Sequence, residues 1–573
     1  MTYKENYERW LASDKVDEAS KAELRAIADN DEEIKFRFIK DLEFGTGGLR
    51  GTMVAGTNAM NVYTVAHATQ GLADLINKEG KADMGVAVGY DSRNNSKLFA
   101  ETASRVLAAN GVKVKLFTGI RPTPVLSFAV RELKCIAGIN ITASHNPKQY
   151  NGYKAYWEDG AQLPPDHAKT VSSFIAAADI FDDVKLISLE EGLASGLISY
   201  IPEELDEIYM KNVMAEAVNP DVIAQVADDL EIVYTPLHGA GHRLVPEVLR
   251  RMGFKHIDTV DEQMVLDGNF PTVSFPNPEY PAVFELGIKL AEKVGSDLII
   301  ATDPDADRVG IMARDKSGKF VSITGNQVGA LLLDYIITAY ENTNTMPENP
   351  YAVKTIVSTE MVTKICAAHN IRLFNVLTGF KFIGEVIKKY EVTGHDNYIF
   401  GFEESYGYLK GTYARDKDSV VATMLLSEMA AYYKTKGMTL CDALNSLYER
   451  YGCYNEGAAN IYMEGLDGLE KMKQLMDELR SDPPAELAGH RVVERRDYLK
   501  DEVLDVDTGK ITSTGLPTSN VLYFRTDLDD VIVIRPSGTE PKIKIYILAN
   551  GESMDAVNEK IAAYAKVTDT WVK

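Results

Sequence analysis

Short apolar runs alternate along the chain with longer stretches whose apolar residues fall at helical spacing, and turn residues separate the two. Such runs suit buried strands, and their amphipathic neighbours suit helices packed on a sheet. The pattern predicts strands over 85–89, 112–117 and 136–141, with helices 95–110 and 125–133 between them. The cycle restarts near 205, with strand 230–234, helices 244–252 and 284–294 and strand 297–301. It restarts again near 325, with helices 327–340, 361–368 and 384–390 alternating with strands 353–357, 371–376 and 398–401. Ahead of the first cycle, residues 7–38 read as two or three short helices. After helix 420–434 the character changes: from about 454 the chain carries strands 521–524, 531–534 and 543–548 with helices 466–480 and 554–566. The expected fold class is α/β, with three related α/β domains and a smaller C-terminal α+β domain. Their expected boundaries are 1–204, 205–322, 323–453 and 454–573.

Composition narrows the function classes. At 573 residues, 45% of them hydrophobic and 25% charged, the chain is globular and exceeds what one core serves. A formal net charge of -23, with no basic cluster to offset it, disfavours nucleic acid and anionic lipid as partners. An acidic protein that binds phosphate esters must concentrate its cations within one site. The scattered Cys135, Cys366, Cys441 and Cys453 form no CxxC pair, so reduced structural thiols are expected. Met1 to Trp10 lacks the apolar core of a secretory signal, and the apolar stretch 328–340 is short and carries Asp334. A cytoplasmic protein without a membrane span is expected, and no protein partner is implied.

Candidate chemistry sits at the ends of the predicted strands. Strand 136–141 delivers Thr142-Ala143-Ser144-His145-Asn146-Pro147, where Pro147 stops the strand and Ser144 lies in a turn. A nucleophilic serine is one reading; turn side chains satisfying turn backbone is the other. Asn151-Gly152-Tyr153-Lys154 follows, read as a glycine turn that turns Lys154 toward the same cleft. Strand 297–301 runs into Asp303, Asp305 and Asp307, hard oxygens at alternate positions that suit magnesium, with Arg308 beside them for a phosphate. An EF-hand is ruled out, because its required glycine and glutamate are Arg308 and Arg314 here. The loop Gly45 to Arg50 lacks both the P-loop ending and the Rossmann context, so ATP and NAD are unsupported, yet glycine amides and Arg50 can meet an anion. Glu403, Glu404 and Ser405 follow strand 398–401 and offer acceptors for vicinal hydroxyls, or a helix cap. Arg535-Pro536-Ser537-Gly538-Thr539 has the composition of a phosphate cradle, or of a plain turn.

In this order the TASHNP, DPDADR, FEES and RPSGTEPK segments resemble the α-D-phosphohexomutase superfamily, in its phosphoglucomutase-2-like branch of bacterial phosphoglucomutases and animal phosphopentomutases. The resemblance covers nearly the whole chain. It implies three α/β domains and a fourth around a central cleft, each contributing one loop. It also implies that Ser144 carries a phosphoryl group and completes a magnesium site with Asp303, Asp305 and Asp307. Glu403 and Ser405 would read sugar hydroxyls, while Arg535, Ser537, Gly538 and Thr539, with Lys542 in addition, would bind the non-reacting phosphate. Arg50, Lys154 and Arg308 would face the transferred phosphoryl, Lys154 as general acid/base, with His145 and Lys381 in support. The implied activity interconverts glucose 1-phosphate and glucose 6-phosphate through glucose 1,6-bisphosphate, which doubles as activator. Alternatives are a phosphopentomutase or phosphomannomutase, and, outside the mutases, a metal-dependent sugar phosphatase or a silent sugar-phosphate sensor.

Overall fold

The structure, a computed structural model, describes residues 1–45, 47–463, 468–536 and 542–571. Internal contacts divide the chain into two units. The first comprises residues 1–323, 384–394 and 406–439, and the second 324–383, 395–405 and 440–573.

The first unit opens with helices Tyr3–Ala12, Glu18–Ala26 and Asp31–Phe38, started by the side chains of Thr2, Asp17 and Asn30 accepting from backbone N–H groups. Trp10 packs edge-on against Phe38, Tyr63 and Phe181 and fastens these helices to the body of the unit. The first sheet contains β1 (Leu49–Thr52), β2 (Val86–Tyr90), β3 (Val114–Leu116), β4 (Ala137–Ile141), β5 (Tyr150–Trp157) and β6 (Ile198–Tyr200), in the order β1-β5-β4-β2-β3-β6. Its centre is parallel, with helices Ser96–Ala109 and Thr123–Glu132 as the crossovers, and β5 and β1 are antiparallel additions at one edge. Every residue of β2 and β4 is buried, which is why these strands read as continuous apolar runs rather than alternating ones.

The expected turn at Asn151-Gly152 is not a turn. Gly152 lies inside β5, paired with Arg50 of β1, because a side chain there would meet the Thr142 carbonyl oxygen at 2.4 Å. Gly48, at φ 85°, likewise faces the Tyr153 carbonyl, so Arg50 stands on a strand and not in a loop. Glycine here permits close strand approach.

The second sheet has β7 (Glu231–Thr235), β8 (His256–Thr259), β9 (Leu298–Thr302), β10 (Val309–Arg314) and β11 (Phe320–Ile323), ordered β11-β10-β9-β7-β8. Strands β7, β8 and β9 are parallel, and the acidic triplet forms the connection by which β9 turns back into antiparallel β10.

In the second unit β12 (Pro350–Thr355), β13 (Arg372–Val376) and β14 (Asn397–Glu403) pair in parallel, in the order β13-β12-β14. The C-terminal sheet is antiparallel and runs Cys453–Tyr462, Lys542–Gly551, Val531–Pro536, Leu522–Thr526, His490–Asp497, Glu502–Asp505 and Ile511–Thr512. Ile532 and Ile534 face one core with Leu475, Leu479 and Tyr564 of helices Gly468–Ser481 and Met554–Asp569. Val531 and Val533 face the other, with Ile356, Val357 and Leu377, as the two-residue strand period requires. The chain therefore holds three α/β domains followed by a β-rich C-terminal domain. Among the described residues no helix is long and apolar enough to cross a membrane, and the four cysteines are free thiols.

Candidate active site

At the end of β4 the chain bends into the serine turn, and the Ser144 N–H donates to Thr142 Oγ1 at 2.8 Å. Ser144 adopts φ 52°, a left-handed conformation that costs an L-residue with a side chain roughly 1 kcal/mol. Its hydroxyl is buried, donates to Asp303 Oδ2 at 2.8 Å and lies 3.2 Å from His145 Nδ1.

Asp303, Asp305 and Asp307 are fully buried at the end of β9 and offer oxygens within 4.8 Å of one another. Ala306, at φ 51°, makes the tight turn between them, and Asp303 Oδ1 accepts the N–H groups of Asp307 (3.1 Å) and Arg308 (3.0 Å). Asp305 Oδ2 accepts from Lys154 Nζ at 2.7 Å and from Thr123 Oγ1 at 2.7 Å. Asp307 Oδ2 takes Lys154 Nζ at 2.9 Å and lies 3.3 Å from Lys417 Nζ. Asp305 Oδ1 and Asp307 Oδ1 are buried with no hydrogen-bond partner among the described residues. Uncompensated carboxylate oxygens are costly in an interior, so this donor set fits a hard divalent cation.

The electrostatics of these groups diverge. Burial, reinforced by the Asp305 and Asp307 charges, pushes the Asp303 carboxyl well above the usual range. Burial acts the same way on Asp305, but the Lys154 ammonium outweighs it and holds that carboxyl low. Burial would lower Lys154, yet the facing carboxylates raise it, so it is fixed as an ammonium. His145 is held well below its ordinary value by burial and by the charges of Arg308, Arg50, Arg93 and Lys154, and is a neutral imidazole at pH 7. Arg50 Nη1 donates to Asn146 Oδ1 at 3.0 Å, and Arg308 Nη1 to Glu279 Oε1 at 2.7 Å. The first unit thus gathers Arg50, Ser144, His145, Lys154, the acidic triplet and Arg308 around one point.

Lys417 is absent from the sequence-based expectation. Its ammonium is 2.9 Å from Asp416 Oδ1, and Asp416 Oδ2 accepts from Tyr156 at 2.8 Å. The available signal is the run Arg415-Asp416-Lys417-Asp418, four charged residues, all buried, directly ahead of the mostly apolar helix Ser419–Thr435. Thr123, the first residue of helix Thr123–Glu132, and Arg93, three residues beyond β2, were missed too; neither sits in a motif of its own.

In the second unit Glu403 ends β14 and its Oε1 accepts the Gly379 N–H at 2.9 Å, while Glu404 Oε2 accepts from Thr355 Oγ1 at 3.1 Å. Ser405 is half-buried beyond them, and Lys381 Nζ lies 4.8 Å from the Phe382 ring. Burial raises the Tyr546 phenol, with the Glu404 charge adding and Arg535 opposing, so Arg535 and the β14 carboxylates act on one side chain. Lys542 Nζ lies 5.9 Å from the Tyr462 ring. Ser537, Gly538 and Thr539 lie outside the described residues.

Comparison with known proteins matches residues 41–180, 207–318 and 324–451 to phosphoglucomutase/phosphomannomutase alpha/beta/alpha domains I, II and III. A Staphylococcus aureus phosphoglucomutase is 37% identical over 92% of this chain and 93% of its own length. Among solved structures, the exocytosis-sensitive phosphoprotein parafusin (phosphoglucomutase) of Paramecium superposes with a TM-score of 0.67 at 18% identity, covering 92% of this chain and 96% of that one. A phosphoglucomutase/phosphomannomutase family protein of Burkholderia thailandensis gives 0.64 at 18% identity, covering 92% and 97%.

Proposed function

This chain belongs to the phosphoglucomutase/phosphomannomutase family of the α-D-phosphohexomutase superfamily and is an intramolecular phosphotransferase of the isomerase class, and from that premise we propose that it interconverts glucose 1-phosphate and glucose 6-phosphate. The observation that carries the reading is the junction of Ser144 with the acidic triplet: a buried hydroxyl donating to Asp303, with two buried carboxylate oxygens nearby that accept no hydrogen bond among the described residues.

In this reading Ser144 carries a phosphoryl group between turnovers. The P–O bond to Ser144 breaks as a P–O bond forms to a hydroxyl of the sugar monophosphate, and that hydroxyl's proton ends on the serine oxygen. Lys154, fixed as an ammonium between Asp305 and Asp307, gives a proton to the serine oxygen and recovers one from the attacking hydroxyl. The neutral His145 orients the serine oxygen at 3.2 Å without adding charge. Arg50 and Arg308 bear on the transferred phosphoryl. Asp303, Asp305 and Asp307 would hold Mg2+, which supplies charge neutralisation at the phosphoryl oxygens when bound. We assign Glu403 and Ser405 to the sugar hydroxyls, Lys381 to their support, and Arg535 with Ser537, Gly538 and Thr539 to the phosphate that does not react. The resulting glucose 1,6-bisphosphate turns over and returns its other phosphoryl to Ser144, and added bisphosphate primes unphosphorylated enzyme. We place the protein in the cytoplasm, a setting that suits its free thiols.

Turnover of glucose, mannose and ribose 1-phosphates, measured side by side with inorganic phosphate release, tests the substrate. The expected result is a kcat/KM for glucose 1-phosphate higher by roughly tenfold or more, with isomer formed in place of phosphate. A preference for ribose or mannose phosphate would reassign the substrate, and phosphate as the main product would make the enzyme a phosphatase.

A further inference from the structure

Arg93 follows β2 in Asp91-Ser92-Arg93, is 3% exposed, and lies against the serine turn. A buried arginine beside a phosphoryl-carrying serine invites assignment as a phosphate ligand. Its hydrogen bonds say otherwise. Nη1 donates to the carbonyls of Pro147 (3.0 Å) and Tyr150 (3.1 Å), and Nη2 to those of Asn146 (2.6 Å) and Ser144. Nε faces Asp91 Oδ2 at 3.3 Å as an ion pair, and the guanidinium lies 5.0 Å from the Phe270 ring centroid. All four Nη N–H groups are taken by backbone carbonyls, and Nε, which makes no hydrogen bond among the described residues, is buried against Asp91, so the fork presents no Nη N–H to a substrate phosphate.

Those carbonyls belong to one turn, from Ser144 to the first residue of β5. Gathering them around one cation requires the chain to curl, and the curl includes the left-handed Ser144 at φ 52°. A strained conformation of this kind persists only where its surroundings over-determine it. The surroundings are themselves fixed: Asp91 Oδ1 accepts the Arg93 N–H at 2.9 Å and the Ser96 hydroxyl at 2.7 Å, and Asn151 Nδ2 donates to Asn94 O and to Ser96 Oγ, each at 3.0 Å.

We infer that Arg93 is a positioning residue: by binding the Ser144, Asn146, Pro147 and Tyr150 carbonyls it holds Ser144 in the left-handed conformation that aims its hydroxyl at Asp303, and it does not touch the substrate. The inference rests on Ser144 as the phosphoryl carrier. Lysine cannot replace this arginine, because an ammonium is a point charge without the planar fork.

The test compares wild type with Arg93→Lys and Arg93→Ala. Amide hydrogen exchange across 143–150 reports on the clamp independently of activity. It should speed up in both variants while exchange in the buried β2 and β4 stays as in wild type; unchanged exchange in 143–150 overturns the inference. Kinetically, Arg93→Lys should lose roughly 100-fold in kcat for glucose 1-phosphate with KM nearly unchanged, the pattern of a misplaced reacting group. A raised KM with kcat intact would make Arg93 a substrate ligand and overturn it, as would wild-type kinetics. Added guanidinium should restore part of kcat to Arg93→Ala, whereas ammonium should not; no rescue of a folded variant counts against the clamp. Should Arg93→Ala fail to fold, Arg93→Lys decides alone. Peptide mapping of the wild type separates the two claims: no phosphate on Ser144 defeats the carrier reading, while the exchange data still judge the clamp.

Discussion

At Asp305 two opposed forces meet. Burial favours the protonated acid, and the Lys154 ammonium at 2.7 Å favours the carboxylate; the ammonium wins. Asp303 goes the other way: burial and the Asp305 and Asp307 charges outweigh the opposing charge of Arg308. The site therefore contains carboxyls whose protonation preferences are pushed apart by their neighbours, a mark of functional centres. The alternation of these acids was legible in the sequence because they follow a continuous apolar strand. The lysines were less so: Lys154 was found as a residue, but its setting on β5 was not, and Lys417 arrives from a distant segment that only the fold brings near. Asp305→Asn should leave the fold intact and remove a hard oxygen donor together with the partner of Lys154. Magnesium-dependent turnover should fall by more than the roughly 10- to 100-fold that losing a ligand's supporting contact costs. A magnesium titration of activity checks this, and an unchanged curve would remove Asp305 from the metal set.

At the scale of elements, the parallel cores were readable and the antiparallel additions were not. The strands β2, β4, β7 and β9 are buried along nearly all their length, so hydrophobicity alone marks them. Strand β5 buries Asn151 and Lys154, polar residues that an interior strand carries only at a site, and its glycine reads locally as a turn. In the C-terminal domain His490–Asp497 is dense in arginine and acid and mostly half-buried, which hid it from any apolar pattern. Helix Val62–Lys78 was also left out of the expectation, although its composition is helical; small residues let it bury on most sides. Gly152→Ala tests how tightly β5 is built against the serine turn. The added methyl meets the Thr142 and Leu49 carbonyls at 2.4 and 2.9 Å, so backbone must shift. The expected destabilisation is about 1 to 3 kcal/mol by urea unfolding, with a larger relative loss of kcat than of stability elsewhere in the sheet; a neutral result would mean the strands separate at little cost.

Across the whole molecule, two equivalent solutions recur: in the first and second sheets a buried parallel strand ends in a left-handed residue, Ser144 at φ 52° and Ala306 at φ 51°, and the chain then returns as an antiparallel neighbour. This shared device places the hydroxyl and the carboxylates at strand ends, where open α/β sheets present their ligands. In a chain of net charge -23 the cations Arg50, Lys154, Arg308 and Lys417 are gathered at this one site, the arrangement that an anionic substrate requires. The central claim is that Ser144 exchanges a phosphoryl group with a sugar phosphate. Intact-mass and peptide analysis after exposure to glucose 1,6-bisphosphate and magnesium tests it directly. Wild type should gain about 80 Da, a single phosphoryl group, on the peptide containing Ser144 and lose it to glucose 1-phosphate, while folded Ser144→Ala should gain none. A phosphoryl group found elsewhere, or normal turnover by Ser144→Ala, would contradict the account.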